Sequence, residues 1–213
     1  MRCDKTRMQL YAVTDRTWLG EKTLYEQVES ALKGGVTCVQ LREKNLSEEE
    51  VLTEAIEIAG LCRGYGVPFI VNDNPEIALK CGADGIHVGQ DDLQADEVRR
   101  LVGERMIIGV TAHNVKEAIE AEKKGADYLG AGAVFQTGTK SDTVALSYET
   151  LREICASVRI PVVAIGGISR SNILKLSGSG VSGIAVVSAV FAAEDIQCAS
   201  AELLALSRKM TAQ

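Results

Sequence analysis

Short apolar runs recur along the chain at spacings that predict alternating strands and helices. Each run holds four to seven residues, mostly Val, Ile, Leu, Ala and Gly, which is typical of β-strands. Most runs are continuous in hydrophobicity, which indicates parallel strands buried on both faces. The eight predicted strands span residues 10–14, 37–42, 69–72, 85–88, 106–110, 128–134, 162–165 and 183–187.

The segments between these strands carry the signals of helix ends. A repeated phrase, glycine, then a small residue, then Asp, Thr or Ser, occurs at residues 35–37, 82–84, 125–127 and 180–182. Such a glycine is typical of the junction from a helix to the next strand. Helix starts are predicted at Ser47 with Glu50, at Asn74 before Pro75, and at Asn114 with Glu117.

Eight strand–helix units in about 200 residues predict a closed barrel. This is the minimal size for a (β/α)8 TIM barrel of parallel strands with an outer ring of helices. The alternative is an open, doubly wound sheet, but eight even repeats without a linker favour closure. We therefore expect residues 1–213 to form a single domain of the α/β class.

Composition and charge narrow the range of functions. The chain is 46% hydrophobic and 24% charged, as in ordinary globular proteins. Lys and Arg total 23 against 29 Asp and Glu, and this net charge of −6 argues against a nucleic-acid or anionic-membrane partner. The sequence leaves the oligomeric state open, and a homodimer is one assembly that it allows.

Several features indicate a cytoplasmic protein. No apolar run approaches the roughly 20 residues that span a bilayer, and the first residues lack the apolar core of a signal peptide. Six cysteines lie far apart and form no Cys-x-x-Cys pair, so we expect buried free thiols in a reducing compartment.

Polar residues gather after the predicted strands, where TIM barrels place their reacting groups. Gln40, Arg42 and Lys44 stand at spacing two, so they share one face if the second strand continues that far, with Val39 and Leu41 facing the helices. Two cations and an amide in a barrel mouth indicate an anionic ligand. The alternative is a set of surface charges paired with Glu43 and residues 48–50.

Two aspartates follow neighbouring strands. Asp73 comes after the third strand and Asp92 after the fourth, so their carboxylates can converge on one divalent cation. Few protein oxygen ligands, with substrate oxygens completing the shell, suit Mg²⁺ better than zinc. The alternative role for either residue is a helix N-cap.

Two further segments indicate binding of an anionic group. Residues 136–143 combine hydroxyls, a glycine and a lysine after the sixth strand, which predicts a phosphate- or carboxylate-binding lid; a flexible surface loop is the alternative. Gly166 and Gly167 after the seventh strand, with Val187 and Ser188 at the end of the eighth, match the usual phosphate site of this fold.

Other candidate motifs are weaker. His87 and His113 can be either packing residues or ligand contacts, and the sequence does not decide between these roles. No Ser-His-Asp order or nucleophile elbow supports covalent hydrolysis. Residues 130–132 lack the third glycine and the acidic partner of a dinucleotide fingerprint.

With these residues placed, the sequence resembles the thiamine phosphate synthase (thiamine phosphate pyrophosphorylase) family. The phrases that carry the resemblance run in order through all eight predicted strands: LYAVTD from Leu10, VQLREK from Val39, FIVNDN from Phe69, ADGIHVGQDD from Ala83, IIGVTAHN from Ile107, GADYLGAGAVFQTGTK from Gly125, PVVAIGGI from Pro161 and GIAVVSAV from Gly183.

The resemblance implies a Mg²⁺-dependent transferase. Its members join a hydroxymethylpyrimidine diphosphate to a thiazole phosphate, or its carboxylated tautomer, and release diphosphate. It implies that the pyrimidine diphosphate is held by Gln40, Arg42, Lys44, Asn72, Thr111 and Lys140, with Arg42, Lys44, Lys140 and Thr111 acting in catalysis. Thr111 stands where such sequences often have serine, a change that keeps the hydroxyl.

The resemblance also implies the metal and thiazole contacts. Asp73 and Asp92 would ligate Mg²⁺, and the thiazole phosphate would contact Thr137, Thr139, Gly167, Val187 and Ser188. Two other functions remain as alternatives, a related thiazole tautomerase and a non-catalytic sensor of phosphorylated metabolites. The tautomerase should not need the full cation set and both aspartates, and the sensor should carry a further interaction domain.

Overall fold

Eight parallel strands close into a barrel in the order in which they occur along the chain. The computed structural model describes residues 3–90, 92–136 and 146–212. Each strand pairs with the next, and the eighth pairs with the first. In these residues the strands are β1 (Leu10–Val13), β2 (Cys38–Leu41), β3 (Phe69–Asn72), β4 (Gly85–Val88), β5 (Ile107–Ala112), β6 (Tyr128–Gly132), β7 (Val162–Ile165) and β8 (Gly183–Val186).

Helices surround the barrel and confirm the predicted TIM architecture. The α-helices of the described residues are α1 (Leu24–Lys33), α2 (Glu48–Tyr65), α3 (Pro75–Cys81), α4 (Ala95–Val102), α5 (Val115–Lys123), α6 (Tyr148–Ser157), α7 (Ser188–Phe191) and α8 (Ile196–Thr211). The alternation is imperfect after β7, where a short 3₁₀ helix, Ile173–Leu176, takes the place of an α-helix. Two helices, α7 and α8, follow β8.

The predicted helix starts are largely confirmed. Ser47 and Glu50 form a reciprocal capping box at the start of α2, and Asn74 caps α3 just before its first-turn proline. Asn114 caps α5 by accepting a hydrogen bond from the Glu117 backbone. The Glu117 carboxylate bonds instead to the backbone N–H of His113, one residue before the cap.

The carboxyl-end boundaries of five predicted strands are wrong by one or two residues. β1, β2 and β8 each end one residue early, and β6 ends at Gly132 instead of residue 134. β5 ends later than predicted, at Ala112, so that Thr111 lies on the strand. In β6 and β8 the reason is that apolar residues continue past the end of the strand, so composition alone does not mark that end.

Two buried layers hold the barrel together. Between strands and helices lies an aliphatic layer that includes Val39 and Leu41, as predicted for the outward positions of β2. Inside the barrel lies a second cluster, which includes Met8, Cys38 and Ile70. At about 25 cal/mol per Å² of apolar surface removed from water, these layers supply the main stabilising contribution.

The six cysteines are all free thiols, but their burial differs. Cys3, Cys38, Cys62 and Cys81 are buried, Cys155 is half-buried and Cys198 is exposed. The prediction of buried thiols is therefore wrong for Cys198, which stands near the amino end of α8. Among the described residues, no helix is both long enough and apolar enough to cross a membrane.

The repeated phrase at the helix–strand junctions has a second role at the amino-terminal end of the barrel. Its last residue accepts a hydrogen bond from a backbone N–H at the start of the preceding strand. Thr37 accepts from Leu10 at 2.9 Å, Asp84 from Phe69 at 2.9 Å, and Asp127 from Ile108 at 3.0 Å. Each bond satisfies a backbone donor at the strand's beginning.

We expect Asp84→Ala to lower the free energy of unfolding by about 1 kcal/mol, because the Phe69 N–H loses its acceptor. Thermal denaturation should show a decrease of roughly 2–4 °C for a protein of this size. Glu29→Ala, which removes an exposed helical ion pair with Lys33, is the control and should shift stability by less than about 0.5 kcal/mol. Equal effects for the two variants would contradict this role of Asp84.

Candidate active site

A cavity opens at the carboxyl end of the barrel, where the predicted site residues converge. Its walls come from residues at the ends of β2, β3, β5, β7 and β8, among others. Seven residues singled out in the sequence line it together: Gln40, Arg42, Asn72, Thr111, Gly167, Val187 and Ser188. The chain thus gathers polar groups separated by up to about 150 positions around one space.

The two cations that follow β2 do not lie on a strand. Because β2 ends at Leu41, Arg42 and Lys44 lie in a loop, and the argument from strand spacing does not reach them. The Arg42 backbone N–H donates to the buried Thr14 hydroxyl at 3.0 Å, which fixes the start of that loop. Among the described residues, neither cation has a carboxylate within ion-pair distance, so the predicted alternative of surface pairing is not observed.

A chain of hydrogen bonds crosses the barrel just beneath the cavity. The Gln40 Nε2 donates to the Tyr11 hydroxyl at 2.8 Å, and the Tyr11 and Tyr128 hydroxyls bond at 2.8 Å. His87 then joins Tyr128 through Nδ1 and Thr111 through Nε2, both at 3.0 Å. These five side chains form the polar network, which links two strands on one side of the cavity to three on the other.

Burial keeps the two tyrosines of the polar network neutral. It raises the pKa of Tyr11 and of Tyr128 well above the ordinary value, and desolvation is the largest cause for both. Each hydroxyl therefore remains able to donate one hydrogen bond and accept others. The network consequently holds Gln40 and Thr111 in place at the cavity wall.

Two strand glycines make room for the polar network. A Cβ at Gly109 would overlap the Tyr128 ring, and one at Gly130 would lie 3.2 Å from His87 Cε1. Glycine inside a strand often marks such a close approach. The Tyr128 and His87 rings lie 5.5 Å apart, between centroids, as a result.

The two aspartates lie close together at the rim. Although Asp73 is exposed, partial burial raises its pKa to about 6, and the Asp92 carboxylate adds to this through charge repulsion and a hydrogen bond. Lys44 and the Asn72 amide act in the opposite direction. A pair of repelling carboxylates with a nearby cavity is an arrangement that a divalent cation stabilises.

Neither aspartate is a helix N-cap, the alternative left open by the sequence. The residue that caps α3 is Asn74, and the residue that precedes α4 is Gln94. Asp92 does accept a backbone hydrogen bond from Gly89 at 2.8 Å. Asp73 has a left-handed backbone (φ 61°), which Asp tolerates better than most residues. Within the described residues no third His, Cys, Asp or Glu joins them in a metal-binding group.

The opposite wall of the cavity has the features of an anion site. Gly166 and Gly167 both have positive φ, and a Cβ on Gly167 would collide with the backbone of Gln136. Val187 and Ser188 stand at the start of α7, where the first backbone N–H groups have no partner within the helix. Three of the site residues named in the sequence, Thr137, Thr139 and Lys140, lie outside the described residues, as does nearly all of the predicted lid 136–143.

Sequence reasoning missed Tyr11 and Tyr128 and left both histidines undecided. The structure places His87 in the polar network, whereas His113 lines the cavity and pairs with Glu117 at 3.0 Å. The signal that could have found Tyr128 is Gly109 inside β5, and Gly130 inside β6 leaves room for His87 in the same way. A glycine in a buried strand leaves space for a large side chain on the strand beside it, and Gly109 pairs directly with Tyr128.

Comparisons with known proteins agree with this geometry. The family model described as thiamine monophosphate synthase matches residues 10–190. The chain is 50% identical to the thiamine-phosphate synthase of Ruminiclostridium cellulolyticum over 195 residues, covering 92% of this chain and 93% of that protein. It is 48% identical to the thiamine-phosphate synthase of Clostridium acetobutylicum, with 89% and 90% covered.

Solved structures extend the similarity to three dimensions. A thiamine phosphate pyrophosphorylase from Pyrococcus furiosus superposes with a TM-score of 0.90 at 41% identity, covering 97% of this chain and 98% of that one. A 3-hexulose-6-phosphate synthase superposes with a TM-score of 0.67 at 18% identity, covering 93% and 99%. The second likeness concerns the barrel fold alone.

We expect Tyr128→Phe to destabilise the protein by about 1–3 kcal/mol, because it leaves buried partners in Tyr11 and His87 without their bond. Chemical denaturation measures the change. Tyr25→Phe, at an exposed position on α1, is the matched control and should have no measurable effect. A Tyr128→Phe protein as stable as the control would show that the hydroxyl does not hold the network together.

Proposed function

We propose that this chain, which belongs to the thiamine monophosphate synthase family, is the transferase that joins a hydroxymethylpyrimidine diphosphate to a thiazole phosphate. The products are thiamine phosphate and diphosphate. One observation carries the proposal: a single cavity, beside two aspartates, is lined by Gln40, Arg42, Asn72, Thr111 and Gly167.

The proposed reaction begins with departure of the diphosphate. The bond between the pyrimidine methylene carbon and the diphosphate oxygen breaks, and its electron pair leaves with the diphosphate. Electron donation from the aminopyrimidine stabilises the carbon cation that remains, and the lone pair of the thiazole nitrogen then forms the new carbon–nitrogen bond. No general base is required, which suits a site without a catalytic triad. If the carboxylated tautomer is the substrate, carbon dioxide is also released.

Cationic side chains at the opening of the cavity would favour the loss of diphosphate. Arg42 lines the cavity, and Lys44 lies close enough to Asp73 to oppose the rise in the pKa of that carboxyl, which burial and Asp92 cause. Fixed positive charges that face a group as its negative charge develops lower the barrier for its loss. We assign Arg42 and Lys44 to the diphosphate, with Lys140 as a third cation.

Asp73 and Asp92 would hold Mg²⁺. Two repelling carboxylates, with no third ligand of the His, Cys, Asp or Glu type grouped with them among the described residues, leave positions for oxygens of the substrate and water. When bound, Mg²⁺ would supply further positive charge for neutralising the diphosphate. This fit of the donor set supports magnesium as the cofactor.

The polar network would orient the pyrimidine ring. The Gln40 Nε2 is engaged with Tyr11, which leaves the amide oxygen to accept a hydrogen bond from a ligand amino group. Asn72 and the Thr111 hydroxyl line the same cavity. Prepositioned partners of this kind hold the ring in place while the leaving group departs.

The thiazole phosphate would occupy the opposite wall. Gly167 allows close approach of its backbone, and Val187 and Ser188 begin a helix whose first N–H groups are available to an anion. We assign Thr137 and Thr139 to the same phosphate. The two rings would then face each other across the cavity.

The sequence offers less support for the two alternative functions. A thiazole tautomerase has no need for both a cation set and paired aspartates, and both features occur here. The relatives that this chain matches at 48–50% identity are named as synthases, which gives a non-catalytic sensor less support. A reducing cytoplasm, in which we place the enzyme, agrees with six free cysteines.

The purified protein should form thiamine phosphate from the two phosphorylated substrates when Mg²⁺ is present. Chromatographic detection of thiamine phosphate, with a parallel assay for diphosphate, tests the proposal directly. Omitting Mg²⁺ and adding EDTA should abolish both products. Isomerisation of the thiazole alone would support the tautomerase, and binding without turnover would support the sensor.

Asp92→Ala should lower turnover by roughly 10²-fold or more, the usual cost of losing a group that stabilises charge in the transition state. Lys140→Ala should have a similar effect. The control is Asp96→Ala, an exposed aspartate on α4 that pairs with Arg100 away from the cavity. Steady-state rates equal to that of the control would remove Asp92 and Lys140 from the proposed diphosphate site.

Asp73→Asn should separate activity from stability. In metal-free protein at pH 7.5 we expect a higher unfolding temperature than for the unsubstituted protein, because Asn removes a charge that Asp92 repels. A carboxyl with a raised folded pKa becomes less destabilising as the pH falls through about 6, so the difference should shrink by pH 5. Turnover should nevertheless fall, and a lower unfolding temperature at pH 7.5 would contradict the repulsion.

A further inference from the structure

The residues that follow β1 contact the loop that carries the cations, yet the proposed reaction uses none of them. Thr14 holds the Arg42 backbone, as described above. Two residues later, Arg16 Nε lies 3.0 Å from Glu43 Oε2, and Arg16 Nη2 lies 2.5 Å from Glu54 Oε1 on α2. Arg16, Glu43 and Glu54 form what we call the charge triad.

Glu43 stands between Arg42 and Lys44 in the chain, but it serves a different partner. Arg42 lines the cavity and Lys44 acts on Asp73, whereas the Glu43 carboxylate forms an ion pair with Arg16 and Glu43 does not line the cavity. Residues 42–44 belong to a loop, so no neighbouring strand fixes where their side chains point. An ion pair that holds Glu43 away from the cavity fixes the residue between the two cations and so restricts the positions that Arg42 and Lys44 can adopt.

The charge triad is poorly arranged for stability alone. Two carboxylates share one guanidinium, and the Glu43 side chain is only 3% exposed. Three polar atoms of the charge triad are buried without a hydrogen-bond partner among the described residues: Arg16 Nε, Glu43 Oε1 and Glu54 Oε2. Burying charges without full hydrogen bonding can cost more free energy than their attraction returns, so a gain in stability alone does not explain the charge triad.

Arg99, at the other end of the barrel, is an arginine whose guanidinium has several hydrogen-bond acceptors and stabilises the fold. Its guanidinium donates to the carbonyls of Gly103, Met106 and Gly125 and to the Asp127 carboxylate. The Arg99–Asp127 pair is also largely buried, at 12% and 11% exposure. Arg99 is thus a suitable comparison for Arg16.

We propose that Arg16 is a positioning residue, which anchors Glu43 so that Arg42 and Lys44 face the diphosphate of the bound substrate. The proposal rests on the proposed function for the identity of the substrate. Arg16 itself contacts no substrate atom. Its effect should fall on the diphosphate side of the cavity and leave the thiazole side unchanged.

The first test compares Arg16→Met with Arg99→Met in the full-length protein. Binding of diphosphate with Mg²⁺, measured by isothermal titration calorimetry, should weaken about 10-fold for Arg16→Met, and kcat/KM for the pyrimidine diphosphate should fall by up to about 10²-fold. The KM for the thiazole phosphate should not change. Arg99→Met should lower the unfolding temperature but leave diphosphate binding as in the unsubstituted protein.

A second pair of variants separates two effects: the loss of the Arg16–Glu43 contact, and the buried unpaired carboxylate that Arg16→Met leaves behind. Glu43→Leu removes the anchor without leaving a buried carboxylate at that position, and it should reproduce the Arg16→Met defect. Glu43→Gln keeps an oxygen that accepts from Arg16, so it should retain diphosphate binding within about 3-fold of the unsubstituted protein. Rescue by Gln but not Leu would support positioning by this contact.

Three results would overturn the inference. One is unchanged diphosphate binding in Arg16→Met with a loss of thermal stability like that of Arg99→Met. Another is an equal rise in both KM values, which would indicate a general distortion of the site. The third is an unsubstituted protein that does not bind diphosphate with Mg²⁺. If diphosphate binding shows the expected pattern but no thiamine phosphate forms, the proposed reaction fails while the positioning role stands.

Discussion

The need to satisfy polar groups inside an apolar barrel governs how this site is built. The lower interior is filled by Met8, Cys38 and Ile70, but the cavity above needs hydroxyls, amides and a histidine that face a polar ligand. An unpaired buried polar group costs about 1–3 kcal/mol, so each of these groups requires a partner. The polar network provides one across the full width of the barrel. Tyr11 and Tyr128 serve as the boundary layer, with rings in the apolar core and hydroxyls in the network.

The fold was predictable because each of its signals is local. Continuous apolar runs mark buried parallel strands, glycines mark helix ends, and Ser47 and Asn74 mark helix starts, so each of the eight strands could be located from its own residues. What local signals did not give was the exact strand end. β2 stops at Leu41 because the next residue bonds to the Thr14 side chain instead of to a neighbouring strand, a long-range contact that composition does not encode.

The candidate site was predictable to the extent that it follows from topology. Once the strands are ordered in a barrel, the residues at their carboxyl ends must meet, and Gln40, Asn72 and Thr111 do so. The supporting side chains were not predictable in this way. Tyr128 acquires its role from Gly109 on the next strand, and Glu43 acquires its role from Arg16, which lies 27 positions away. Such pairings depend on which side chains touch, and a single sequence does not report contacts.

The hydrogen bonds at the amino-terminal end of the barrel determine where the chain could be opened in a circular permutant. Thr37, Asp84 and Asp127 each join an even-numbered strand to the odd-numbered strand before it, so three of the four odd–even pairs are connected by a side-chain hydrogen bond as well as by their backbone ladder. The barrel is in this sense an assembly of βαβ units, each a parallel pair. New chain termini placed within α2, between β2 and β3, would leave each tied pair within an unbroken stretch of polypeptide. Termini placed within α1 would instead put Leu10 and Thr37 at opposite ends of the rearranged chain.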